Sequence, residues 1–243
     1  MEITPETTIG EIVADDFRTA ALFTTLGIDF CCKGDRTVQQ VCEKKAIEPS
    51  VILSQVKQVV SASGGTSADF RTWPEDMLAD YIIRKHHTYV EEKIPILLQY
   101  LNKLCRVHGE RHPELFEINM LFIGCAGDLA SHMKKEELVL FPFVRKMVKA
   151  RKAATVPGIP HFNSVLNPVE MMKEEHTAEG ERFEHIARLT NNYTPPADAC
   201  STYKVTFAML KEFEEDLHTH IHLENNVLFP RAIALEKELR VIS

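Results

Sequence analysis

The sequence predicts an all-α protein: an up-down four-helix bundle over residues 75–243, a small helical domain over 1–60, and a linker at 61–74. Three observations carry that expectation. Beyond position 75 apolar residues recur in alternating steps of three and four, the helical period. Four long stretches of this kind follow one another with short connections, as an up-down bundle requires. Two of them contain the same HxxxExxVLFP pattern, beginning at His132 and at His220.

In order, Thr8 to Leu26 and Thr37 to Val60 have helical apolar spacing and flank the glycine-bearing segment GIDFCCKGD at 27–35. The stretch SASGGTSADFRTWP at 61–74 is rich in Ser, Gly and Thr, which marks a linker. Few contacts are expected across such a segment, so the bundle should bind its ligands without residues 1–60. Long helices are expected at about 75–107, 113–150, 164–191 and 200–239, broken at HGERHP, VPGIPHFN and NNYTPP.

The bulk properties narrow the function. With 243 residues and 44% apolar content the chain can bury a full core, and its net charge of −7 disfavours nucleic acid and anionic membranes as partners. No apolar run approaches the ~20 residues of a membrane span, and the acidic N-terminus has no apolar signal core. Six cysteines at 31, 32, 42, 105, 125 and 200 do not form the regular framework of a secreted scaffold, which points to a reduced, cytoplasmic protein. Cys42, Cys105, Cys125 and Cys200 read as core thiols.

The repeat extends to the helices before each motif, where His87 and His176 stand at nearly the same offset. One helix pair thus supplies His87, His132 and Glu136, and the other His176, His220 and Glu224. Helical phase places each on an inward seam: Ile83-His87-Val90-Ile94 in the first helix, Leu129-His132-Glu136-Val139 in the second. Val169-Met172-His176-Phe183, with Glu179 between, and Leu217-His220-Glu224-Val227 follow in the third and fourth. Six ionisable side chains in a dry core would be costly unless compensated, and metal coordination compensates them. Imidazoles with carboxylates suit iron or manganese. His86, His218 and His222 fall off the seams; Glu137 and Glu175, next to Glu136 and His176, read as parts of a solvated face, with a supporting or proton-handling role beside the site as the other reading.

These residues resemble the repair-of-iron-centres proteins, a branch of the hemerythrin-like domains. The resemblance covers nearly the whole chain, through KHHTYVEEKIP, SHMKKEELVLFP, EEHTAEGE, NNYTPP and HIHLENNVLFPR in the bundle and GIDFCCKGD in the leading domain. The family's usual pair of glycines after the two cysteines is here Lys33-Gly34. The resemblance implies a centre of two iron ions held by His87, His132, Glu136, His176, His220 and Glu224, with both glutamates bridging. It further implies repair of iron-sulfur clusters damaged by nitric oxide or oxidants, with damaged iron-sulfur proteins as partners. Reduction of nitric oxide to nitrous oxide, or reversible binding of O2 or nitric oxide, is the alternative. A homodimer stays open.

Cys31 and Cys32 are adjacent, and ordinary disulfide geometry wants a wider separation than neighbours allow. As soft thiolates they suit relay of iron or of a cluster fragment; two small buried hydrophobes closing the leading domain are the other reading.

Overall fold

A computed structural model describes residues 3–62 and 69–241. Residues 63–68 of the expected linker lie outside the described residues. Among the latter every element is helical, apart from one isolated bridge between Thr8 and Thr37.

Four short helices come first: α1 Ile9–Asp15, α2 Thr19–Thr25, α3 Val38–Lys45 and α4 Pro49–Ser61. Thr8 with Glu11 and Thr37 with Gln40 form reciprocal capping boxes, each satisfying two backbone N–H groups at a helix start. The bridge sets the two caps side by side. Each of the two predicted N-terminal helical stretches is therefore two helices. The first breaks at extended Asp16, whose carboxylate accepts the Arg18 backbone N–H. The second breaks at left-handed Ala46, and Pro49 opens the next helix.

The bundle comprises α5 Glu75–His108, α6 Glu114–Lys152, α7 Leu166–Leu189 and α8 Ser201–Val241. Each packs on its neighbours in ring order, α5 on α6, α6 on α7, α7 on α8 and α8 on α5. Buried Glu75 pairs with Arg151 and Arg231, fastening the start of α5 to α6 and α8. The α7–α8 turn carries three consecutive left-handed residues, Asn191, Asn192 and Tyr193, and the Thr190 hydroxyl accepts the Tyr193 N–H.

Three of the four bundle helices contain a π-helical segment: Ile83–His87 in α5, Glu136–Leu140 in α6 and Leu223–Leu228 in α8. A π turn holds one residue more than an α turn, so the buried face shifts by one position across it. Hence Ile82, not the expected Ile83, is the fully buried residue before His87, and Leu140, not the expected Val139, follows Glu136 inward. Seams written with a uniform helical period miss these shifts.

The core is split. One apolar cluster joins the leading domain to the half of the bundle containing Leu97, Phe122, Phe183 and Phe213; the other holds Leu78, Phe141, Val144 and Phe229. The six expected ligands form the polar layer between them. One thiol corrects the sequence reading: Cys200 is exposed, with its Sγ 3.2 Å from His108 Nε2, while Cys42, Cys105 and Cys125 are buried as expected.

The leading domain is seated on the bundle, contrary to the expectation of few contacts across 61–74. The Asn226 side chain donates to the Phe30 carbonyl, the Asn225 side chain to the Cys31 carbonyl, and Arg71 pairs with Asp15. Approach is close: a Cβ on Gly10 would lie 2.5 Å from Asn226 Oδ1 and displace that side chain.

Candidate metal centre

His87, His132, Glu136, His176, His220 and Glu224 converge at mid-bundle, none more than 3% exposed. Their donor atoms fall into two compact sets, His87-Glu136-His220-Glu224 and His132-Glu136-His176-Glu224. Both glutamates belong to both sets, and each set draws on three helices.

The spacings suit coordination. Donors about 2.1 Å from a six-coordinate ion stand about 3 Å apart when adjacent. Here His132 Nε2 and His176 Nε2 are 3.0 Å apart, and His176 Nε2 is 3.2 Å from Glu224 Oε2. His220 Nε2 lies 3.0 Å from Glu224 Oε1. His87 Nε2 and His132 Nε2 lie 3.3 and 3.4 Å from Glu136 Oε2. Yet His87 Nε2, both Glu136 oxygens and Glu224 Oε2 are buried without a well-formed hydrogen bond. Buried polar atoms that point at a common centre and are not satisfied by protein fit a cation there.

Three of the four other imidazole nitrogens are held from behind, while His220 Nδ1 is buried without a hydrogen-bond partner among the described residues. His87 Nδ1 is 2.9 Å from Glu137 Oε1, His132 Nδ1 is 2.7 Å from Glu175 Oε2, and His176 Nδ1 is 2.9 Å from Asn225 Oδ1. A proton donated from Nδ1 leaves the Nε2 lone pair facing the centre and fixes the ring. Glu137 and Glu175 are thus not merely parts of a solvated face, as the sequence suggested. The internal repeat held the missing signal. Glu137 follows Glu136 as Asn225 follows Glu224, and each takes the first-helix histidine of its own pair. Glu175 precedes His176 as His86 precedes His87; where Glu175 bonds His132, His86 stacks on His220 at 5.5 Å and 8°.

Electrostatics reflect the crowding. Burial disfavours charge on His132, but Glu136 and Glu175 beside it carry its pKa up to about 10. The hydrogen bond to His132 holds the Glu175 carboxyl down to about 2, and Glu175 also pairs with Lys135. Burial and Glu224 push the Glu136 carboxyl up; His132 and His87 more than offset them and leave it lowered. Burial depresses His220. A cation at the centre replaces this shared-proton arrangement with one source of positive charge.

His86, His218 and His222 lie outside both donor sets. His86 Nδ1 is 3.0 Å from Asp216 Oδ2, and His222 Nδ1 accepts from Asn226 Nδ2. Glu179, inward as the phase predicted, is 4% exposed and pairs with Arg182 at 2.8 Å; burial raises its pKa. It lines, with His132, His176 and Glu175, a cavity of about 130 Å³ that reaches the surface at Asp128 and Ser131.

Cys31 and Cys32 lie close to this centre. Their sulfurs are 3.6 Å apart and unbonded, and the Cys32 thiol donates to the His176 carbonyl at 3.3 Å. Asn225 joins the Cys31 carbonyl to the His176 ring. The Cys31 thiol is raised well above its usual range, by its hydrogen bond to Cys32 and then by burial.

Among the described residues no helix is long and apolar enough to cross a membrane. Residues 78–232 match the hemerythrin HHE cation binding domain, and residues 5–60 match a domain of unknown function, DUF542. The chain is 33% identical to the iron-sulfur cluster repair protein YtfE of Musicola paradisiaca over 228 residues, 94% of this chain and 96% of that protein. YtfE of Citrobacter koseri is 33% identical and that of Escherichia coli O8 32%, each over 94% of this chain and 97% of the relative. With both domains matched in order and nearly the full length aligned, the chain belongs to the YtfE family of iron-sulfur cluster repair proteins, built on a hemerythrin HHE cation-binding bundle.

Proposed function

We propose that the bundle holds two iron ions through His87, His132, Glu136, His176, His220 and Glu224, and that the protein donates iron to iron-sulfur clusters damaged by nitric oxide or oxidants. The observation that carries this reading is the pair of four-donor sets sharing both Glu136 and Glu224, so that these six residues would hold two neighbouring ions. Iron bound there supplies a Lewis acid and an exchangeable, redox-active ion. The protein's own groups do the rest. Glu137, Glu175 and Asn225 orient the imidazoles, and the apolar layers on either side limit water. Histidine and carboxylate are borderline and hard ligands, whereas a damaged cluster offers soft thiolates and sulfide, so a soft relay favours transfer out of the bundle. Cys31 and Cys32, the latter with its sulfur 3.3 Å from the His176 carbonyl oxygen, are that relay. A free dithiol needs a reducing compartment, which the cytoplasm supplies.

A second reading rests on the cavity beside His132 and His176, whose roughly 130 Å³ admits a diatomic gas but little more. It favours nitric oxide or O2 as a ligand at the same centre, with reduction of nitric oxide to nitrous oxide as the reaction.

Metal analysis of protein purified without oxygen should give two irons per chain, and His132→Ala with His220→Ala should lose most of them while keeping helical content. An inactivated iron-sulfur dehydratase should then recover activity with wild type, and less with Cys31→Ser/Cys32→Ser. If wild type does no better than free ferrous iron, repair is the wrong reading and gas chemistry takes its place.

A further inference from the structure

A second cavity, of about 590 Å³, opens beside the dithiol loop. That volume is within the range of small-molecule sites, roughly 300–1,000 Å³. Cys31 lies on its wall, and Lys33, Arg36, Lys44 and Lys45 line it against two acidic groups, Asp29 and Glu184. The excess of cations stands out in a chain whose net charge is −7. Arg36 is engaged in holding the loop, donating to the Lys33 and Asp29 carbonyls. Among the described residues Lys33, Lys44 and Lys45 form no ion pair, so the cavity presents positive charge that the protein does not neutralise.

The loop beside it is rigidly built. One Asp29 oxygen accepts the backbone N–H groups of Cys31 and Cys32 at 3.0 and 2.9 Å and the Cys31 thiol at 3.4 Å. Asp29, Cys31 and Cys32 therefore offer three donor atoms lying within 4.8 Å of one another. Two thiolates and a carboxylate make three ligands of a tetrahedral site for a borderline or soft divalent ion, and one position is left for an outside ligand.

We propose that Asp29, Cys31 and Cys32 form a transfer site for a divalent metal, completed by a low-molecular-weight anionic thiol whose carboxylates are held in the cavity by Lys33, Arg36, Lys44 and Lys45. The inference rests on the relay role given above to the two cysteines and names the co-ligand of that relay. The cavity's charge selects an anion, and its position against Cys31 selects one bearing sulfur. On ferrous binding the two cysteine thiols and the incoming thiol each lose a proton to solvent while three metal–sulfur bonds form. No electron moves. The metal then leaves as a soluble thiolate complex or passes to a client's sulfur by ligand exchange, one thiolate replacing another.

Cobalt(II) tests this without any repair assay, because thiolate–cobalt charge-transfer bands report sulfur coordination directly. Full-length protein with its bundle iron in place is titrated with cobalt under anaerobic conditions, with and without glutathione as the probe thiol. The expected result is a thiolate–cobalt band that tightens by about tenfold when glutathione is present, equivalent to about 1.4 kcal/mol. S-methylglutathione, which keeps the carboxylates but blocks the sulfur, should give no such gain. Lys44→Glu/Lys45→Glu, on an exposed helix end, should abolish the gain while leaving the band seen with cobalt alone; Asp29→Asn should weaken both. A gain that survives the double charge reversal, or a glutathione titration with no thiolate band, overturns the proposal. Should the cobalt result hold while cluster repair fails, the transfer site stands and the repair reading falls; the converse result removes only this site.

Discussion

At the scale of single residues the centre depends on groups that belong to neither donor set but hold a histidine of one. Glu175 receives the His132 Nδ1 proton while also paired with Lys135, and Glu137 does the same for His87 while paired with Lys134. Replacing such a partner costs about 10- to 100-fold in metal affinity. Glu175→Gln and Glu137→Gln should therefore each weaken iron retention by about that factor against a competing chelator, with the circular dichroism of the bundle unchanged. On the same helix as His220, burial lifts the Glu214 carboxyl to about 7, against an ordinary value of 4.5. A carboxyl with a raised pKa in the folded state keeps its proton there longer than in the unfolded chain. Its contribution is fully present below about 4.5 and is lost as pH rises through about 7. Glu214→Gln should accordingly be near neutral at pH 5 and stabilising at pH 8, by up to about 3 kcal/mol. Urea unfolding at the two pH values measures it, and equal effects at both would show that the carboxyl does not titrate in this range.

At the scale of elements the π segments set where the proposed ligands sit. His87 ends one, Glu136 begins another and Glu224 lies in the third. Each adds a residue that a regular helix would not hold, so side chains before and after keep their core positions while the residues within turn toward the centre. Leu138, 72% exposed and inside the α6 segment, is the residue whose loss costs least packing. Deleting it should restore a regular helix with Leu129 and Val144 still buried, preserve thermal unfolding to within a few degrees, and yet lower bound iron. Undiminished iron in that deletion would show that the π turn is incidental to the site. The third helix has no π segment, and there the uniform period placed Val169, Met172, His176, Glu179, Phe183 and Ile186 inward, as the structure does.

At the scale of the whole molecule the leading domain and the bundle meet at the centre. Asn225 spans from the His176 ring to the Cys31 carbonyl, and the Cys32 thiol reaches the His176 backbone. A Cβ on Gly180 would come within 2.9 Å of the Cys32 sulfur, so α7 is kept bare where the dithiol approaches. A chain shortened to begin at Trp73 should stay helical but lose orientation of His176, with iron retention about 10- to 100-fold weaker in chelator competition. Retention equal to the full chain would restore the independence that the linker's composition suggests.

The helical class, the four long bundle helices and the six inward His and Glu side chains were legible in the amino-acid order, because they follow from a period and an internal repeat written along each helix. His132 with Glu136 and His220 with Glu224 are readable since four residues bring side chains to one helix face. Tertiary structure alone decided the rest. Glu175 and Glu137 face solvent by local phase, yet each is captured by a histidine from another helix. The exposure of Cys200, the one-residue shifts at Ile82 and Leu140, and the seating of Cys32 against His176 follow likewise from how helices meet. Local periodicity encodes which face turns inward; it does not encode which group from a neighbouring element that face will find.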